Sequence, residues 1–374
     1  YFNIMKFSTS KTELQKSLQK LSKATPIRST LPILGCVLIE VKSEKTILRT
    51  TDLEITIEIE LASSYERQGE AALPLKTLLD ITNELPDIRL TISVDKNCKA
   101  TIETETGKYN LMGKPSEEFP KAPDLSFNKS IDVNALVLKE VIESTLFAVS
   151  QDELKPSLTG VLFKFSEDNF TAVSTDGHRL VKYQIKNFLS EELKEEIIIP
   201  KKFLSFLSTQ LFGDKIKLSI GNNFITAHLE KDIITTKIID EKFPDYDSVI
   251  PKENNKTLLI DKKALLGAIR RVSIFSNKST HQVALSLNSN NSFVTTEDPE
   301  KSSKAKEKIL GDYKGEDLTI GYNSEYLKGV VSHVTGENVE IKLNTSVSAA
   351  LFEENPKRDN VNSLMLLMPI RLND

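Results

Sequence analysis

The sequence predicts an α+β protein made of three tandem copies of one domain, and three observations carry that prediction. One order of events recurs three times: an amphipathic helix, strand pairs, a second short helix, then closing strands. Matched markers stand at nearly constant steps. Thr51-Asp52 leads to Thr175-Asp176 after 124 residues, Pro74 to Pro200 after 126, and Phe119 to Phe243 after 124. A period near 124 divides the 374 residues three times.

The first element of each copy is a helix: "KTELQKSLQKLSKA" from Lys11, "VNALVLKEVIESTLFAVS" from Val133 and "DKKALLGAIRRVSIFSNK" from Asp261. Leu14, Leu18 and Leu21 fall at i, i+4 and i+7, which makes one apolar stripe. Lys16, Lys20 and Lys23 keep that spacing two residues later, roughly 200° round at about 100° per residue, so they point away from the core. Leu265, Ile269 and Val272 repeat the stripe, with Lys263 and Arg270 opposite. Strand pairs follow in each copy. Ile55, Ile57 and Ile59 alternate as one buried face of a sheet requires. The second helices are expected at 75–85, 200–213 and 322–335. Polar, Pro-bearing stretches near Pro123 and Pro251 set the boundaries, giving domains at 5–124, 125–251 and 252–374. Met5 reads as the natural start, with Tyr1 to Ile4 as an extension.

The net charge of −4 argues against wholesale coating by nucleic acid, but the charge is unevenly placed. The six expected helical segments, 11–28, 75–85, 133–150, 200–213, 261–278 and 322–335, hold 15 Lys and Arg against 7 Asp and Glu. The helices are therefore expected to share a surface that faces a polyanion, with acidic sheets outside. With no Trp and few aromatics on these segments, such a surface would touch phosphates and not stack on bases. Cys36 and Cys98 read as small buried residues of a reducing compartment. With no apolar run of membrane length, the expected location is the cytoplasm, without membrane partners.

No phosphate-binding glycine loop occurs, the four histidines are scattered, and no Cys/His pair has metal-ligand spacing, so no cofactor and no metal is expected. The stretch "VSTDGHRLV", Val173 to Val181, sets Ser174, Asp176 and His178 close together. A hydrolase triad needs members converging from separate elements and an oxyanion hole, and nothing in the sequence supplies them. Asp176-Gly177 is first a hairpin-turn signal. Since Thr51-Asp52 takes the equivalent place, Thr-Asp reads as architecture and Gly177-His178-Arg179-Leu180 as the second copy's addition.

On "TLPILG" from Thr30, "TDLE" from Thr51, "TDGHRL" from Thr175, "FPDY" from Phe243 and "MPIRL" from Met368, in that order and spacing, the chain resembles the bacterial sliding clamps, the beta subunits of DNA polymerase III. The resemblance runs from Met5 to Leu372. It implies a head-to-tail homodimeric ring of six clamp domains, helices lining the hole and antiparallel sheets outside. The ring encircles duplex DNA, slides on it without sequence preference and has no catalytic activity. It implies that Arg28, Lys76 and Lys202 face DNA; the helix residues Lys16, Lys20, Lys23, Lys263 and Arg270 join them from the charge pattern. It also implies a hydrophobic cleft between the second and third domains for short peptides of the replicative polymerase catalytic subunit, the clamp loader, other polymerases and repair proteins. By position the lining is Leu158, Thr175, Gly177, His178, Arg179, Leu180, Pro244, Val249, Val347, Leu366, Leu367, Met368, Pro369, Ile370, Arg371 and Leu372.

The chain departs from the family pattern at Asp247 and Ser248, where basic residues are frequent, and at Pro156 and Ser157, near aromatic DNA-contacting positions of some relatives. Asn373 and Asp374 extend past the usual Arg-Leu end. Two other classes stay open to test: a monomeric repeat scaffold that binds nucleic acid directly, and a hydrolase using Asp176 and His178.

Overall fold

Each repeat closes through one isolated antiparallel bridge: Ala72 with Lys114, Ile198 with Ile239, and Gly321 with Ile370. The same tie at the same place in each third is the repeat expressed in backbone geometry. The computed structural model describes residues 3–26, 28–122, 127–188 and 194–372. The expected boundary around Pro123, the first two residues of the extension Tyr1 to Ile4 and the Asn373-Asp374 end lie outside the described residues.

Two units form, Tyr1–Ala135 with Thr209–Ile238, and Leu136–Ser208 with Ile239–Asp374. Neither is one repeat, because the strands of the middle repeat continue the sheets of its neighbours. In the first unit an eight-stranded sheet joins four strands of the first repeat to four of the second. The seam is strand Asp232–Lys237 beside Ile55–Leu61, with Ile234 opposite Ile57 and Thr236 opposite Ile55. A five-stranded sheet completes this unit, and Lys108–Met112 is one of its edges. In the second unit a nine-stranded sheet has the corresponding seam, Arg179–Lys186 beside Val361–Leu367, with Arg179 opposite Leu367. Its four-stranded sheet ends in the edge strand Ser303–Ile309. All these pairings are antiparallel, so alternate residues face opposite sides of each sheet.

Six α-helices occur among the described residues: α1 Lys11–Leu21, α2 Leu75–Glu84, α3 Ala135–Thr145, α4 Lys201–Ser208, α5 Lys262–Ser273 and α6 Ser324–His333. Each expected helix forms and each stops short of its expected end. In α3, Thr145 turns its hydroxyl back onto the Val141 carbonyl at 2.8 Å, and the chain tightens into a 3-10 turn at Leu146–Ala148. Side-chain N-caps start α1, α5 and α6: Ser10 accepts from the Glu13 N–H, Asp261 from that of Ala264, and Asn323 from those of Glu325 and Tyr326, whereas Pro74 leads into α2 without one. Leu14, Leu18, Leu21, Leu265, Ile269 and Val272 are all buried, as the stripes require. Each such side chain contributes about 1.5–3 kcal/mol of burial. Within their units α1 packs on α2 and α5 on α6.

Candidate functional site

The turn at Thr175 is built twice. Thr175 Oγ1 donates to the Arg179 carbonyl at 2.7 Å and accepts from the Gly177 N–H, while Asp176 Oδ1 accepts from the N–H groups of His178 and Arg179, each at 3.0 Å. In the first repeat Thr51 Oγ1 donates to the Ile55 carbonyl and accepts from Leu53, and Asp52 Oδ1 accepts from Glu54 and Ile55. The residue after the Asp is left-handed in both, φ 88° for Gly177 and 77° for Leu53. Thr-Asp is therefore the scaffold of a turn. Glycine relieves the strain that Leu53 bears and leaves the turn surface bare. Ser174 is wholly buried and donates to the Thr145 carbonyl at 2.6 Å, so it is no nucleophile for His178. The third repeat replaces this turn: Thr296 Oγ1 donates to the Gln282 carbonyl and a 3-10 turn follows at Pro299–Lys301.

The turn is tied to the end of the chain. Met368 N–H donates to the His178 carbonyl at 2.8 Å, and Ile370 N–H to Gly321 at 2.9 Å. Beneath lies a cluster of Leu162, Val173, Leu180, Ile198, Ala349, Leu351 and Leu366, with Phe243, Tyr246 and Ile250 half-buried against it. Around it Val249, Val347 and Met368 are 56%, 64% and 44% exposed, apolar side chains open to solvent beside the buried cluster. Gly177, His178, Pro244 and Arg371 are exposed; Pro369, Ile370 and Leu372 are half-buried; Leu158 and Thr175 are buried at the margin. The acidic replacement after "FPDY" is neutralised locally, since Asp247 pairs with Lys182 at 2.7 Å.

Three expected site residues are placed differently. Leu367 is wholly buried in another cluster, with Tyr322 and Phe352, because the pleat sends it to the opposite face from Leu366. Arg179 directs its guanidinium to Asp176 and the Phe147 carbonyl. Lys20 is bound to the buried Asp232 at 2.5 Å, in the wall of a pocket of about 780 Å³ within the first unit. Lys16, Lys23, Arg28, Lys76, Lys202, Lys263 and Arg270 are exposed. The basic surplus is uneven among the helical segments: 11–28 and 261–278 hold ten of the 15 cations.

Sequence reasoning missed two groups. Phe147, Tyr326, Gly329 and His333 surround Arg179, and they read as ordinary helix residues because their partner lies in a distant turn. Ile274, Phe275 and Leu310 are 67%, 46% and 78% exposed, and Tyr109 and Met112 are 37% and 63% exposed. The visible signal was that Ile274 and Phe275 fall off the stripe of α5. Burial pushes the Cys36 thiol up, and burial with Glu117, Asp95 and Glu118 does the same at Cys98, so neither is a ready nucleophile.

Sequence profiles for the N-terminal, central and C-terminal domains of the DNA polymerase III beta subunit match residues 5–123, 132–245 and 247–371. The beta sliding clamp of Pseudomonas putida is 32% identical over 373 residues, covering 98% of this chain and all of that one. The sliding clamp of Pseudomonas aeruginosa bound to griselimycin superposes with a TM-score of 0.91 at 29% identity, and that of Bartonella birtlesii, also bound to griselimycin, with 0.93 at 27%. Each covers 98% of this chain and is itself covered in full.

Proposed function

The chain belongs to the DNA polymerase III beta-subunit family, the bacterial sliding clamps, and is a non-catalytic processivity factor of replication; from that premise we propose which of its residues close the ring, face DNA and dock partners. The domains run 5–124, 125–251 and 252–374, in support of which the profile matches break near the same places.

Ring closure rests on one observation, an unmade third junction. Two equivalent strand seams are made within the chain, Ile55–Leu61 with Asp232–Lys237 and Arg179–Lys186 with Val361–Leu367. Their counterparts in the third junction are Ser303–Ile309 and Lys108–Met112, and each is a sheet edge that is bare among the described residues. Bare edges invite pairing. Two chains arranged head to tail pair both edges at once. The isolated bridges align Leu111 with Thr236 and Leu367, and the pairing of Thr296 with Ala305 aligns Lys304 with Ile55 and Arg179. Leu111 then stands opposite the partner's Lys304. Tyr109, Met112, Ile274, Phe275 and Leu310 are covered by the same contact.

Inside such a ring Lys16, Lys23, Arg28, Lys76, Lys202, Lys263 and Arg270 face the phosphates of duplex DNA, with Lys20 held back by Asp232. Linkage by the ring makes tight binding needless, and screened contacts let the ring slide. The cleft beside Val249, Val347 and Met368 takes the apolar anchors of peptides from the polymerase, clamp loader and repair proteins, and griselimycin as well. The protein works in the cytoplasm. The test is topological: loaded protein stays on nicked circular DNA and leaves when the circle is cut. Equal retention on both forms refutes the ring and favours a direct-binding scaffold.

A further inference from the structure

Arg179 stands on the turn that walls the cleft, yet only 15% of its side chain is exposed. Its Nε lies 3.0 Å from Asp176 Oδ2, and its Nη2 donates to the Phe147 carbonyl at 2.7 Å. The guanidinium carbon sits 5.2 Å from the ring centre of Phe147 and 4.9 Å from that of Tyr326. His333 stacks on Phe147, centroids 3.8 Å apart and planes within 7°, and its Nδ1 is 2.7 Å from the Gly329 carbonyl. Three separate elements thus meet on one cation: the turn, the 3-10 turn after α3, and α6. A planar guanidinium suits this place, because its edge donates to fixed acceptors while its faces lie against rings.

We infer that Arg179 is a positioning residue, through which α6 sets the place of the Thr175–Leu180 turn and so the shape of the docking cleft. The inference rests on the reading of that cleft as the docking site. An anionic ligand group would have to displace Asp176 and a backbone carbonyl to reach this charge, so the occupant's anchors are apolar. Gly329 is the point where α6 meets the guanidinium. A Cβ there would lie 2.7 Å from Arg179 Nη1, with Phe147 ring carbons at 3.7 and 3.9 Å. A flexible side chain normally yields to such a contact at little cost. This one is held by two acceptors and two rings. Alanine is also the better helix former within α6, so a purely structural role predicts a stabler protein with an unchanged cleft.

The experiment is calorimetric titration of griselimycin into the full chain carrying Gly329→Ala, Arg179→Lys or Val347→Asp, with solution mass and thermal midpoint measured alongside. Gly329→Ala is expected to weaken griselimycin at least tenfold while the mass stays unchanged and the midpoint changes little, the gain in helix propensity offsetting the displaced guanidinium. Arg179→Lys is expected to weaken it similarly, since an ammonium cannot serve both acceptors and both rings. Normal binding by both variants, with binding lost in Val347→Asp, overturns the positioning role and leaves the cleft standing. Normal binding by Val347→Asp as well overturns the cleft and the inference together.

Discussion

The backbone N–H of Met368 donates to the carbonyl of His178 at 2.8 Å, and at the matching seam of the first unit Lys237 donates to Glu54 at 3.1 Å. The last strand is thus sewn to the hairpin turn by a bond that belongs to the repeat. After that bond both segments run two residues on to an isolated bridge, Ile239 with Ile198 and Ile370 with Gly321, and in the second unit that closing stretch, Met368 to Leu372, is the one proposed to wall the cleft.

Removal of the chain from Met368 onward is expected to weaken griselimycin binding at least about 100-fold, on the order of 3 kcal/mol. The dimer should persist, because both bare edges lie elsewhere. Removal from Leu367 should cost overall stability as well, since Leu367 is wholly buried. Calorimetry and solution mass separate the two effects, and a monomer on removal from Met368 would contradict this division of roles.

The proposed register can be tested by chemistry. Residues directly opposite in an antiparallel pair have Cα atoms about 4.5–5.5 Å apart, within disulfide reach. A Leu111→Cys, Lys304→Cys chain is expected to cross-link into covalent dimers under mild oxidation. Leu111→Cys with Lys308→Cys should not. In parallel, Ile274→Ala with Phe275→Ala is expected to weaken the dimer by about 2–4 kcal/mol, read as a concentration-dependent mass.

The repeat, the helices and their stripes were legible in the sequence because all are local patterns with a fixed period. Leu14, Leu18 and Leu21 declare a helix face wherever the helix goes. The proposed dimer edges were not legible, since Lys108–Met112 and Ser303–Ile309 are defined by the pairing they lack among the described residues, and pairing is a property of the sheet. The cage around Arg179 was hidden for a related reason. Phe147 and His333 are 186 positions apart, and nothing near either announces a shared cation. Position within a motif likewise placed Leu367 in the cleft, where strand alternation sends its side chain the other way.

The duplicated turn allows a paired comparison. Asp52→Ala removes an acceptor from two N–H groups and is expected to cost about 1 kcal/mol, as loss of a helix cap does. Asp176→Ala removes the same two bonds and also leaves Arg179 without its carboxylate, for an expected cost of about 2–3 kcal/mol. Denaturant unfolding of the two variants measures the difference. Equal costs would mean that the ion pair with Arg179 contributes no more than the further interaction that Asp52 makes.

Acidification should loosen the cage through His333. Burial holds its pKa below the ordinary 6.5, against the pull of the Gly329 carbonyl, and Arg179 and Lys262 lower it further. The unfolded chain therefore binds a proton before the folded one does. The stabilisation is complete above about pH 6.5 and declines as pH falls below that value; it is gone once the lowered folded pKa is passed. His333→Phe keeps a ring against Phe147 and removes the titration. Its thermal midpoint is expected to fall less than that of the unaltered protein between pH 6.5 and 5, and its affinity for griselimycin should vary less over the same range. Parallel pH profiles in the two proteins would place the titrating group elsewhere, with His228, also lowered by burial, as the next to replace.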